Sequence, residues 1–193
     1  MVAAMKANEI RQSLRPFAAV GGKVDAIEVR LQIAEGNRLY ISYLATGDIA
    51  RLLIPSPSLP HRGDRLWEHT CFEVFLGVVG SPAYYEFNFS PSGEWAAFSF
   101  RAYRDGVAID DDELAPNIRI HCESGQLKLE ATIQLSRLPT IILGTVLRVE
   151  LSAVLESNDG TLSYWAIDHL ADKPDFHHPD SFALALALPA ASA

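Results

Sequence analysis

The chain has 193 residues, 49% of them hydrophobic and 21% charged, so it can bury an ordinary core and is not disordered by composition. Sixteen Lys and Arg against twenty-four Asp and Glu give a net charge of -8, which excludes the basic footprint that nucleic acid or an anionic membrane surface requires. Two cysteines cannot support a disulfide scaffold and are expected as free thiols.

The first residues contain Lys6, Glu9, Arg11 and Arg15, which interrupt any secretory apolar core, and no stretch reaches the length of a membrane-spanning helix. The expectation is a soluble cytoplasmic protein with a single domain over 1–193. Asn8–Leu14 reads as two helical turns. Strands follow at Asp25–Ile33, Leu39–Ala45 and Ile49–Ile54, then a proline-rich loop from Pro55 to Arg65. Cys71–Val78, Tyr84–Phe89 and Trp95–Arg101 are the next strands. Asp110–Ala115, with its acidic start, suits a short helix.

Beyond it the alternation is cleanest. Leu127, Leu129, Ala131, Ile133 and Leu135 oppose Lys128, Glu130, Thr132 and Gln134, and Leu147–Leu155 repeats the pattern. Ile118–Glu123, Leu162–His169 and Phe182–Leu188 complete the set, with a polar, His-rich loop over 170–180. The period is two throughout. It predicts an all-β, antiparallel two-sheet β-sandwich (jelly-roll or immunoglobulin-like) with little helix.

Of three Trp, six Tyr and nine Phe, eight fall between Tyr84 and Tyr103. A four-residue turn at Ser90–Gly93 would set Asn88 opposite Trp95 and Tyr85 opposite Phe98, sending every phenylalanine of the hairpin to the core. The other face then carries Tyr84, Glu86, Asn88, Trp95, Ser99 and Arg101, joined by Glu73 from the neighbouring strand. A ring among carboxyl, amide and guanidinium groups suits a hydroxyl-rich ligand, since the ring packs on C–H faces and the polar groups bond hydroxyls. The same residues also suit an ordinary solvated outer face.

Residues 66–76 (LWEHTCFEVFL) and 85–95 (YEFNFSPSGEW), with 163–169 (SYWAIDH) and 173–178 (KPDFHH), resemble the DOMON-like domains, which are related to family 9 carbohydrate-binding modules. The third block is similar to an uncharacterised bacterial subgroup. The likeness runs from about Arg65 to Leu188. It implies a β-sandwich whose relatives bind sugars or haem without catalysing a reaction. In the sugar binders aromatic residues flank the ligand, which makes Trp67, Trp95 and Trp165 the candidates. Haem-binding relatives hold the iron through Met and His; Met1 and Met5 lie outside the matched region, so haem is disfavoured and a bis-His site stays open. No cofactor is expected, with structural calcium, like haem, left open by that ancestry.

Other readings compete for the same residues. His169, His177 and His178 stand beside Asp168, Asp172, Asp175 and Asp180, a set that could hold a divalent ion or simply stitch a loop together. Glu73 and Glu86 could form an acid/base pair. Asp110–Glu113 lacks calcium-loop spacing. The expected function is non-enzymatic binding of a carbohydrate or sugar-like molecule. Trp67, Glu73, Tyr84, Glu86, Asn88, Trp95, Arg101 and Trp165 would form the platform, with Lys173, Asp175 and His177 closing one side. A haem or redox domain and a protein-interaction domain are the alternatives.

Overall fold

Alternating side chains sort into two faces only if strands pair, and the computed structural model, which describes residues 9–18 and 23–190, contains twelve strands. They are β1 (Glu9–Pro16), β2 (Val24–Ala34), β3 (Arg38–Gly47), β4 (Cys71–Val78), β5 (Tyr84–Phe89) and β6 (Trp95–Ala102). The rest are β7 (Asp105–Ala108), β8 (Asn117–Glu123), β9 (Gln126–Gln134), β10 (Val146–Glu156), β11 (Leu162–Ala166) and β12 (Leu184–Ala187). Every strand pairing is antiparallel. One sheet runs β1-β2-β3-β9-β8 and the other β7-β6-β5-β4-β10-β11, with β12 on the same edge of β10 as β11. The two are stitched by β1, whose early residues pair with β2 while Arg15 and Pro16 pair with β11.

The core lies between the sheets. Ile27, Val29 and Leu31 of β2, Leu39, Ile41 and Tyr43 of β3, and Leu127 and Leu129 of β9 meet Phe72, Val74 and Leu76 of β4 and Leu147, Val149 and Leu151 of β10. Tyr43 is fully buried, and its hydroxyl donates to the Glu73 carbonyl at 2.6 Å, so this polar atom, brought into the layer, ties the two sheets. The all-β sandwich expected from the two-residue period is the fold observed.

Three local expectations are corrected. Glu9–Leu14 belongs to β1 and is not helical, because Ile10 and Leu14 alternate with charges and pack on the core while β2 supplies the hydrogen bonds. Ile49–Ile54 holds a short 3₁₀ turn, Ile49–Arg51, with Leu52 bridged to Ser157. Asp110–Ala115 forms a 3₁₀ turn over Asp112–Leu114, with the Asp111 carboxylate accepting from the Glu113 amide. The short edge strand β7 is exposed at all four residues and has no apolar face to announce it. No helix among the described residues is long and apolar enough to cross a membrane.

The outer faces of the two sheets differ. That of the β2–β3–β9 sheet is polar, whereas β5 is buried along its whole length and β4 at every residue but its last. Two covers explain this. A 3₁₀ turn, Leu66–Glu68, packs Leu66 on Cys71 and Ala96, and the segment that follows β11 lays Phe176 and Phe182 against Phe75, Tyr84 and Phe100.

Candidate ligand-binding site

The β5–β6 hairpin decides what reaches this covered face. Its connection is Ser90–Glu94, five residues instead of four: Gly93 takes φ +95°, its amide donates to the Ser90 carbonyl, and Ser90 N–H donates to the Glu94 carbonyl. Phe89 therefore stands opposite Trp95, Glu86 opposite Phe98, and Tyr84 opposite Phe100. The expected register is off by one, and a one-residue slip turns every side chain of β6 over. Phe98 and Phe100 come out beside Glu86, and Trp95 goes into the core at 2% exposure. Gly106, opposite Phe100, leaves room for the ring, since a Cβ there would come within 2.4 Å of it.

Between the covers a cleft of about 330 Å³ opens, within the range of small-ligand sites. Its walls are rings: Trp67, Phe98, Phe100, Tyr164 and Phe176. Trp67 stands edge-on to Phe98 at 5.8 Å, and Tyr164 leans on Phe176 at 6.4 Å. Glu73 and Glu86 supply the polar floor, and Arg104 and His177 also line the cleft.

The floor is held by its neighbours. Ser152 Oγ donates to Glu73 Oε2 at 3.2 Å, and Asn88 Nδ2 donates to Glu86 Oε1 at 2.7 Å. Burial pushes the Glu73 carboxyl well above its ordinary value, helped by the charge of Glu86. Burial likewise raises Glu86 to about 7, against the Asn88 hydrogen bond and the Arg104 charge. On the adjoining strand Glu150 is fully buried. Burial takes it to about 9 despite hydrogen bonds from the Ile167 and Leu151 amides, and its Oε2 has no partner.

The far wall is a strap. Asp175 accepts from Arg104 at 2.7 Å and from the Tyr103 hydroxyl at 2.8 Å, which pins residues 174–177 to the turn between β6 and β7. The Tyr84 hydroxyl accepts from the Arg104 amide at 3.2 Å and lies 2.8 Å from His177 Nδ1, to which it can donate its own proton. His177 Nε2 then faces Glu86 Oε2 at 3.7 Å. Burial, with the Arg104 charge, depresses His177 to about 4, so the ring is neutral near pH 7.

Of the residues named from sequence, Trp67, Glu73, Glu86 and His177 line the cleft. Asn88 and Tyr84 lie behind the lining, where Asn88 orients Glu86 and Tyr84 stacks on Phe100 at 4.6 Å and orients His177. Asp175 anchors the strap. Trp95 and Trp165 are core residues; the ring that β11 offers to the cleft is Tyr164, next to Trp165 in the chain and therefore on the opposite face. Arg101 sits at the bulge of β6, turned to solvent and paired with Asp105, and Lys173 is exposed outside the lining. Phe98, Phe100, Arg104, Val154, Tyr164, Pro174 and Phe176 were missed. The alternation of β11 could have found Tyr164; the other rings needed the true hairpin register and the path of the strap.

The metal and haem expectations meet the following geometry. His169 Nε2 bonds the Arg15 carbonyl, His177 faces Tyr84, and His178 Nδ1 accepts from the Asp180 amide, so the three rings do not converge. Among the described residues no three His, Cys, Asp or Glu side chains gather as a metal site. One histidine and no methionine line the cleft, a donor set that does not match an axial pair for haem iron. Asp110 and Asp112 both pair with Arg62.

Fold and cleft together define an antiparallel β-sandwich with an aromatic-walled binding pocket on one covered outer face. Two solved structures share the fold. One is a Bacteroides uniformis protein provisionally described as carbohydrate-binding, with 17% identity and a TM-score of 0.56 over 88% of this chain and 82% of that one. The other is a family 9 carbohydrate-binding module from Caldicellulosiruptor kristjanssonii in complex with glucose, with 15% identity and a TM-score of 0.56 over 96% of this chain and 86% of that one. No family model and no curated protein matches the sequence, so the likeness stands at the level of the fold shared with these two structures.

Proposed function

We propose that the protein binds a small carbohydrate in the cleft between Trp67, Phe98, Tyr164 and Phe176 and does not transform it. The observation that carries this reading is the combination of ring walls with a buried polar floor at Glu73 and Glu86. Rings pack on the C–H faces of a sugar, and oriented carboxyls bond its hydroxyls. Burial favours the protonated form of the Glu73 carboxyl, which can both donate to and accept from a hydroxyl partner. The shared fold of two proteins described by carbohydrate binding adds support.

Trp67 is 39% exposed and is the one tryptophan of the cleft, while Trp95 and Trp165 are buried in the core. Its fluorescence is therefore the reporter of choice. Titration with a panel of mono- and disaccharides is expected to give a saturable change in intensity, abolished in Trp67→Phe as far as the reporter is concerned and weakened in affinity by calorimetry in Trp67→Ala. A folded protein that stays silent across the panel overturns the reading. Release of product from chromogenic glycosides overturns its non-enzymatic half.

A further inference from the structure

The floor of the cleft holds two carboxyls and no cation committed to them. Glu73 is 3% exposed and Glu86 5% exposed, and each has one oxygen occupied by a neutral donor, Ser152 and Asn88 respectively. The second oxygens are free of such bonds. Glu73 Oε1 has no hydrogen-bond partner among the described residues, and Glu86 Oε2 faces only the neutral His177 ring at 3.7 Å. Arg104, the one cationic side chain in the lining, is already held by Asp175 and Tyr103. Buried carboxyls in folded proteins are paired with a cation or pushed toward their protonated form, and in these two burial raises the titration of each with no cation bonded to it. Their surroundings are also particular. Five rings wall the cleft, and ring faces attract positive charge through their quadrupoles. A ligand that brought its own cation would meet both groups at once, the carboxyls of the floor and the rings of the walls.

We propose that the ligand of this cleft is a sugar carrying a free, protonated amine, whose ammonium is received by Glu73 and Glu86. The inference rests on the carbohydrate reading and adds the charge that the reading leaves open. A neutral sugar would supply hydrogen bonds to the two buried carboxyls but no positive charge to favour their ionised form. An acidic sugar would set a third carboxylate against them, with Arg104 engaged elsewhere.

Calorimetric titration of the full chain at pH 7 with glucosamine, glucose and N-acetylglucosamine tests it, because the three differ at the amine and little elsewhere. Glucosamine is expected to bind at least about tenfold more tightly than the other two, the scale of one charge-assisted hydrogen bond. In Glu86→Gln, which keeps the side-chain shape, the preference is expected to collapse to roughly equal affinities. Should Glu86→Gln fail to melt cooperatively, Glu73→Gln makes the same measurement with the same expectation. Equal affinities of the native protein for all three sugars overturn the amine and leave the carbohydrate reading standing. Binding of methylammonium with no sugar bound overturns the carbohydrate reading and, with it, the sugar proposed here.

Discussion

At the scale of single residues, three tryptophans that looked alike in sequence have two different jobs. Trp95 and Trp165 are 2% exposed and packed between the sheets, and Trp67 stands at the mouth of the cleft. Trp95→Ala is expected to cost about 3–5 kcal/mol of stability, the range for an aromatic removed from a core, whereas Trp67→Ala is expected to leave the denaturation midpoint nearly unchanged and to lose ligand. Chemical denaturation of both variants separates the two roles. Glu150 makes a second residue-scale prediction. Its folded value is about 9 against an ordinary 4.5, so between those limits the unfolded chain has lost a proton that the folded chain keeps. Its contribution is fully present below about pH 4.5 and is lost as pH rises toward 9, with a slope of at most about 1.4 kcal/mol per pH unit. Glu150→Gln is expected to flatten that decline, read as urea midpoints at pH 5, 7 and 9. Parallel curves for the two proteins would contradict it.

At the scale of elements, the strands were legible and their register was not. Period-two patterns located β2, β3, β9 and β10 because each has one clean apolar face. The β1 segment suits helix as well as strand, because a few polar and apolar residues fit both periods when read without a pairing partner. In the β5–β6 hairpin the decisive residue is Glu94, which lengthens the turn by one and exchanges Trp95 for Phe98 and Phe100 at the site. A pattern in which both faces of a strand are apolar or both are buried gives no signal against such a slip. The strap was invisible for another reason: residues 174–177 cover strands some ninety positions earlier, and nothing local records that. Its anchor is testable. Asp175→Ala removes the partner of Arg104 and Tyr103 and is expected to cost about 1–2 kcal/mol, reduced by the half-exposure of Arg104, while weakening sugar binding much more than it weakens the fold. The strap also responds to acid. His177 titrates near 4 when folded and near 6.5 when unfolded, so its contribution is complete above about pH 6.5 and is lost as pH falls toward 4. In His177→Gln that acid-side loss is expected to shrink, measured as melting temperature between pH 4 and 7.

At the scale of the whole molecule, the sandwich gives its two outer faces different fates. One remains a polar, solvated surface, and the other is roofed by the Leu66–Glu68 turn and the strap, which leave a ring-walled opening over Glu73 and Glu86. Of the cleft residues, Glu73 and Glu86 are legible in the strand alternation, Trp67 in the family resemblance and His177 in the polar loop, and the rings that complete the cleft follow only from the three-dimensional arrangement.

The most direct test of the account is a map of amide and indole shifts by nuclear magnetic resonance during titration with glucosamine or glucose. The account predicts that the largest changes fall on the Trp67 indole, on Phe98–Arg104 and on residues 174–177. Changes confined to the opposite sheet, around Arg30, Tyr40 and Lys128, or no changes at saturating sugar, would contradict it.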